Sequence, residues 1–224
     1  MNILKRDSLI EGGFAGLKEH QVVKGPALFG PRANRDGSSP GIGRFVYLAD
    51  ARFMPNGETH MHDHQEIDII SVIVDGRLSH AGSLGHGQEL RRDEVQVQRA
   101  GGEGLSHNEI NPDNEWNRMI QLWALPDRAG LPAEYKVIKP KSGKLTRIYG
   151  GSEDSDTPFP ASTIFDIAVL SPTQSIEVNS PFQAYLTRGK GIMNGTLIED
   201  GDLITGDKLQ FTANEDVQMI VVRG

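Results

Sequence analysis

At 224 residues the chain is long enough for one large β domain or two domains of about 100 residues each. Its 23 Lys and Arg against 30 Asp and Glu leave a formal charge of −7, which argues against a nucleic-acid backbone as the main partner, because phosphate binding rests on clustered basic side chains. With no cysteine there is no disulfide framework, thiolate metal site or Cys nucleophile. The 26 glycines, 12 prolines and many short β-branched runs predict a mostly β protein. Residues 1–12 carry Lys5, Arg6 and Asp7 and no apolar run. Neither a signal peptide nor a membrane span is therefore expected, and the expected compartment is the cytoplasm.

From the N-terminus, a short strand or turn is expected around Leu9-Ile10-Glu11-Gly12-Gly13, and His20 has the mixed polar setting of a surface histidine. Gly25-Pro26, Gly30-Pro31 and Asp36-Gly37-Ser38-Ser39-Pro40-Gly41 mark residues 24–43 as a long loop. Arg44 to Asp50 alternates as a strand, and Pro55-Asn56-Gly57 turns the chain into a histidine-rich stretch.

That stretch holds His60, His62 and His64 at alternate positions. On an extended strand, residues two apart project to the same side, so a His-x-His pair presents two imidazoles to one point. The β-branched run Ile67 to Val74 supplies the next strand and Asp75-Gly76 a turn. After a strand to His80, a Gly-rich turn at Gly82 to Gly87 and a strand at Glu94 to Gln98, a second cluster follows. Here His107 and Glu109 are again two apart, behind Gly101-Gly102-Glu103-Gly104. Three imidazoles and one carboxylate leave open positions on a six-coordinate metal. Two registers fit the first cluster, His62 with His64 or His60 with His62. His80 and His86 flank the Gly-rich turn and are expected at the surface, Trp116 and Trp123 in the core or an interface, and Met54 and Met61 at a pocket mouth.

Met119 to Leu125 is the next expected strand. Prolines at 126, 132, 140, 158 and 160, with the acidic run Glu153-Asp154-Ser155-Asp156, mark residues 126–162 as a connecting region; Tyr135 to Ile138 and Leu145 to Tyr149 alternate as strands within it. Strands are then expected over Thr163 to Leu170, Ile176 to Val178, Phe182 to Thr187, Met193 to Ile198, Lys208 to Thr212 and Val217 to Val222. Asp93-Glu94-Val95-Gln96-Val97 after Gly76 is echoed by Asp207-Lys208-Leu209-Gln210-Phe211 after Gly189, which suggests a duplicated barrel. The second half contains no histidine.

These motifs resemble the pirin family of bicupins. Its first signature, His-x-His, a carboxylate four residues on, an apolar strand and then acid-Gly, is matched by His62-Asp63-His64, Asp68, Ile69 to Val74 and Asp75-Gly76. Its second, a Gly-rich turn followed by His-x-Glu, is matched at Gly101 to Glu109, and Pro112 and Gln121-Leu122-Trp123 fit the continuation. The likeness covers residues 44 to 140 well and the C-terminal half in outline. The family's distance from acid to turn glycine selects His62 and His64 over His60. The N-terminal segment lacks the family's aromatic-rich run.

The expected fold is all-β: a bicupin of two tandem cupin β-barrels of the double-sheet jelly-roll type. Its expected parts are an N-terminal metal-binding cupin (1–125), a Pro-rich connection (126–162) and a degenerate C-terminal cupin (163–224). The resemblance implies one divalent transition metal on His62, His64, His107 and Glu109, Fe(II) first, with Mn, Ni, Co or Zn as alternatives. Asp68 or Glu66 could orient an imidazole from behind, or be solvated carboxylates at the barrel rim. The implied activity is a pirin-type, metal-dependent dioxygenase. It would cleave a flavonol ring with O2 as a quercetin 2,3-dioxygenase does, with Glu109 as proton acceptor. The partners would be an aromatic or enediol small molecule and O2, with no direct nucleic acid or membrane. The competing class is a non-catalytic metal-binding cupin acting as a redox-responsive or regulatory module on a protein partner. A non-oxidative cupin such as an isomerase is a third.

Overall fold

The computed structural model describes residues 1–152 and 159–224. The acidic run at 153–156 lies outside them. The regular structure of the described chain is nearly all strand, with one α-helical turn at Pro26–Phe29 inside the expected loop and one 3-10 turn at Arg6–Ser8. No described helix is long and apolar enough to cross a membrane.

Four antiparallel sheets form two pairs. The first pair joins a seven-stranded sheet to a four-stranded one. The large sheet runs, in spatial order, Glu134–Ile138, Val95–Arg99, Asp68–Asp75, Asn117–Ala124, Phe45–Phe53, Leu17–Lys24 and Gly12–Phe14. The small sheet runs His62–His64, Leu105–Ile110, Arg77–Gly82 and Gln88–Arg91. In the second pair, the six-stranded sheet runs Asn2–Lys5, Asp202–Gly206, Phe182–Arg188, Val217–Arg223, Ala161–Leu170 and Lys144–Gly151. Its four-stranded companion runs Ser175–Val178, Leu209–Ala213, Lys190–Met193 and Thr196–Glu199. The architecture is a bicupin.

Within the span read as a connection, Glu134–Ile138 closes the edge of the first large sheet and Lys144–Gly151 the edge of the second. At the other end, Asn2–Lys5 crosses over to pair with Asp202–Gly206. That strand, Gln88–Arg91 and Asp202–Gly206 were not among the expected elements. The single strand expected over Met193 to Ile198 is a hairpin about Asn194-Gly195, both with positive φ, as a tight Asn-Gly turn requires. Gly76 turns the chain from the large sheet to the small at φ 71°, and a Cβ there would lie 2.8 Å from that of Asn117.

Period 2 decides what each face meets. Val95, Val97, Ile70, Val72, Ile120 and Leu122 point from the first large sheet onto Phe165, Ile167, Tyr185, Ile220 and Val222 of the second, and together form the largest core cluster. The alternate residues Ser71, Gln96, Gln98 and Gln121 belong to the opposite face, toward the small sheet, where Ser71, Gln96 and Gln121 converge on Glu109. The interior of the second pair is instead packed with Phe182, Leu186, Met193, Phe211 and Met219.

Both halves repeat one succession of large- and small-sheet strands, so the duplication is real, but the sequence echo is displaced by one strand. Val95–Arg99 corresponds to Asp202–Gly206, not to 207–211. Register then matches His107 paired with His62, and Leu105 with His64, to Phe211 paired with Ile176, and Leu209 with Val178. The three histidine positions therefore become Ile176, Val178 and Phe211, and the Glu109 position Ala213, all buried. Apolar packing fills the second barrel where the first holds its histidines.

Candidate metal centre and adjoining cavity

The His62–His64 strand lies against Leu105–Ile110 with His62 opposite His107. Alternation and pairing bring three rings together, with centroids 4.8 Å apart for His62–His64, 4.6 Å for His62–His107 and 5.0 Å for His64–His107. One nitrogen of each lies within 4.8 Å of the others. His62 donates from Nδ1 to the His60 carbonyl at 2.9 Å, which leaves Nε2 with its lone pair. That Nε2 is 3.1 Å from Nε2 of His107. His64 Nε2 is buried with no hydrogen-bond partner among the described residues. Burial, reinforced by the neighbouring imidazoles, pushes His64 and His107 down to about 3, so both are neutral and ligand-competent near pH 7. Converging lone pairs on neutral imidazoles, one of them orphaned, are the donor set that a divalent transition ion takes.

Glu109 stands beside this group and outside it. It is fully buried, and Oε1 accepts from Ser71 Oγ at 2.7 Å and Gln96 Nε2 at 2.8 Å, while Oε2 accepts from Gln121 Nε2 at 3.1 Å. Burial raises its pKa, against hydrogen bonds from Ser71 and Gln121 and the charges of His80 and His62. The arrangement is a buried carboxylate held by neutral donors, with capacity left on Oε2.

His80 corrects a sequence expectation. It is 1% exposed, with neither ring nitrogen partnered among the described residues, and its ring lies 5.7 Å from His107 and 5.2 Å from Tyr135. Its strand pairs with that of Glu109, placing the two residues opposite each other. His60, by contrast, is exposed and sits 3.5 Å from Glu58, while His86 is exposed as expected. Asp68 is no rim carboxylate: it is fully buried and accepts from Tyr149 at 2.6 Å, with Arg99 at 3.4 Å. Glu66 accepts from the backbone of Gly130 at 2.9 Å. Neither hydrogen-bonds any of the three histidines.

The histidines open onto a cavity of about 400 Å³. Its wall is aromatic: Trp123 lies 5.5 Å from His64 and 4.2 Å from Tyr47, which stacks on Phe29 at 5.6 Å. Phe14 and Phe29 show that the N-terminal segment does bring aromatics to the mouth, despite lacking a contiguous aromatic run. Met54 and Met61 are exposed and absent from the wall; Met119 is the methionine that lines it. Gln121 reaches both this cavity and Glu109. Ser71, Gln96, Gln98 and Glu19 were not singled out from sequence, and Gln121 entered only as part of a family motif; their one signal was polar alternation inside apolar strands.

The sequence model of the family described as Pirin matches residues 37–124. A Pseudomonas aeruginosa protein, provisionally named a quercetin 2,3-dioxygenase, is 30% identical over 175 residues, covering 72% of this chain and 75% of that one. A pirin-like protein of Caulobacter vibrioides is 27% identical over 92% of this chain and 94% of its own. The crystal structure of Escherichia coli YhhW superposes with a TM-score of 0.81 at 15% identity, covering 99% of this chain and 96% of that one. The same bacterial pirin has been crystallised in complex with nickel(II). With its fold, its paired histidine strands and these relatives in agreement, the chain belongs to the pirin family.

Proposed function

We propose that this protein is a metal-dependent oxygenase that opens a flavonol or related enediol with dioxygen. The observation that carries the reading is the juxtaposition of three converging imidazoles with an aromatic-walled cavity. His62, His64 and His107 would hold the ion, and Glu109, which the family resemblance makes a fourth ligand, would add only a weaker hold from beside them. Fe(II) is the first expectation and nickel an alternative, given the nickel complex of YhhW. When bound, a divalent transition ion would supply Lewis acidity toward an enol or phenol oxygen and a redox-capable centre for dioxygen.

The remaining work falls to the chain. Trp123 and Tyr47 offer flat faces on which an aromatic ring stacks beside the histidines. Glu109, raised by burial, is suited to take a proton from the substrate hydroxyl. Gln121, donating to Glu109 from the cavity wall, couples the position of that carboxylate to a bound ring. Relatives named as quercetin 2,3-dioxygenases support the same chemistry.

The test is oxygen consumption by protein loaded with Fe(II), Mn(II) or Ni(II) in the presence of quercetin and other enediols. Substrate-dependent uptake that His107→Ala abolishes is expected. A fully loaded protein that consumes no oxygen with any of them would overturn the reading in favour of a metal-binding regulatory cupin.

A further inference from the structure

The cavity contains a second carboxylate, Glu19, to which the chemistry above assigns no role. On the Leu17–Lys24 strand, Leu17, Glu19 and Gln21 share the face that walls the cavity. Opposite them in register stand Phe53, Ala51 and Ala49, and the two alanines leave the space in front of Glu19 open.

Glu19 is 7% exposed. A carboxylate so buried is costly unless its oxygens are well supplied with donors. Among the described residues, Oε1 accepts from Gln21 Nε2 at 2.8 Å, and Oε2 has only the Tyr47 hydroxyl at 3.4 Å. Among the described residues no cation offsets its burial, and that burial raises its pKa. Since filling the site with an apolar residue would avoid this cost, the lone pairs of Oε2 are explained by something that enters the cavity and donates to them.

The geometry points to Glu19 as a specificity-determining residue that accepts a hydrogen bond from a hydroxyl of a polyhydroxylated aromatic ligand, at a point on the ring system away from the histidines. The inference rests on reading this cavity as the substrate site. The aromatic wall of Trp123, Tyr47 and Phe29 takes the planar body, the histidine end takes the acidic oxygen, and Glu19 reads whether a further hydroxyl is present. A site built to pair with a substrate hydroxyl rejects the analogue lacking it, because its own buried group is then left unpaired. The volume of about 400 Å³ lies within the range of about 300–1,000 Å³ that suits such ligands.

The experiment is anaerobic calorimetric titration of the nickel-loaded protein with quercetin and with galangin, which lacks both hydroxyls of quercetin's pendant ring. The wild type should bind quercetin at least about tenfold more tightly, the worth of one hydrogen bond to a charged acceptor. Glu19→Ala should bring the two affinities within about twofold. Glu19→Gln, which keeps an acceptor oxygen, should fall between. Equal affinities in the wild type, a preference that survives Glu19→Ala, or no binding of either flavonol would overturn the inference. Selective binding without oxygen uptake would remove the oxygenase reading and leave Glu19 in place; uptake without selectivity would do the reverse.

Discussion

Nε2 of His62 and Nε2 of His107 face each other at 3.1 Å. The Nδ1 proton of His62 is committed to the His60 carbonyl, so two imidazole lone pairs converge unless His107 takes up the tautomer that donates. A cation relieves the conflict, and the orphaned Nε2 of His64 completes its surroundings. Protein purified without added metal is expected to carry near one equivalent of a divalent transition ion. His62→Ala, His64→Ala and His107→Ala should each lose it. His60→Ala should retain it, since His60 contributes only its carbonyl. Loaded protein should also be more stable than chelated protein, by about 2.7 kcal/mol at a free ion concentration of 100 Kd. Equal metal content across all four variants, by elemental analysis, would remove the site.

Behind His107, the Gln98 amide nitrogen stands 3.1 Å from Nδ1, while Gln98 Oε1 is buried with no partner. Exchanging the amide oxygen and nitrogen resolves both features: Oε1 then accepts Nδ1–H, and Nε2 of His107 is free to ligate. Gln98→Leu is expected to weaken metal affinity about 10- to 100-fold in a competitive chelator titration. Gln98→Glu, which can only accept, should keep the affinity. An unaltered affinity in Gln98→Leu would show that the amide does not orient the ligand.

The His-x-His pair and the His-x-Glu strand were legible because period 2 is local, and so were most of the strand positions. The three-glutamine lining was harder to read for a physical reason. In Val95–Arg99 and Asn117–Ala124 both faces are buried: the apolar face meets the second large sheet, and the polar face turns toward the small sheet and the histidines. A sequence pattern of apolar-in and polar-out assigns Gln96, Gln98 and Gln121 to solvent, which is the wrong side. His80 was misplaced because a neighbouring Gly-rich turn signals exposure, whereas its burial comes from pairing with Glu109's strand, a contact between distant residues. The crossover of Asn2–Lys5 to the second sheet has the same non-local origin.

Glu109 separates two roles that the family resemblance combines. Its carboxylate is tied to Ser71, Gln96 and Gln121 and stands outside the three-histidine group. Glu109→Gln is therefore expected to leave close to one equivalent of metal on the protein, with affinity weakened by about tenfold. Oxygen uptake should fall by about 100-fold or more, as loss of a general base requires. Parallel loss of metal and activity would instead make Glu109 a ligand first.

The contact between the two large sheets carries its own pH dependence. Asp50, nearly fully buried, accepts from Arg118 Nε at 2.8 Å, the Tyr185 hydroxyl at 2.6 Å and Arg6 Nη1 at 3.1 Å. Asp200, which precedes the Asp202–Gly206 strand, receives Arg118 Nη1 at 2.8 Å. Burial alone pushes the Asp50 carboxyl up, but the hydrogen bond and charge of Arg118, the Tyr185 hydroxyl and Arg6 outweigh it, and the net shift is downward. A carboxylate held below its unfolded value of about 3.9 contributes stability that is fully present above that pH and is lost as pH falls through the lower, folded value. Stability from this contact should thus be flat from pH 7 to about pH 5 and decline below about pH 4. Asp50→Asn should cost about 3 kcal/mol or more at pH 7, because Arg118 keeps only Asp200 against its burial. In urea unfolding, the gap between wild type and Asp50→Asn should narrow once the wild-type carboxyl is itself protonated. A gap that stayed constant down to pH 3 would mean that the Asp50 charge is not what joins the sheets, and that shape and the Tyr185 hydrogen bond suffice.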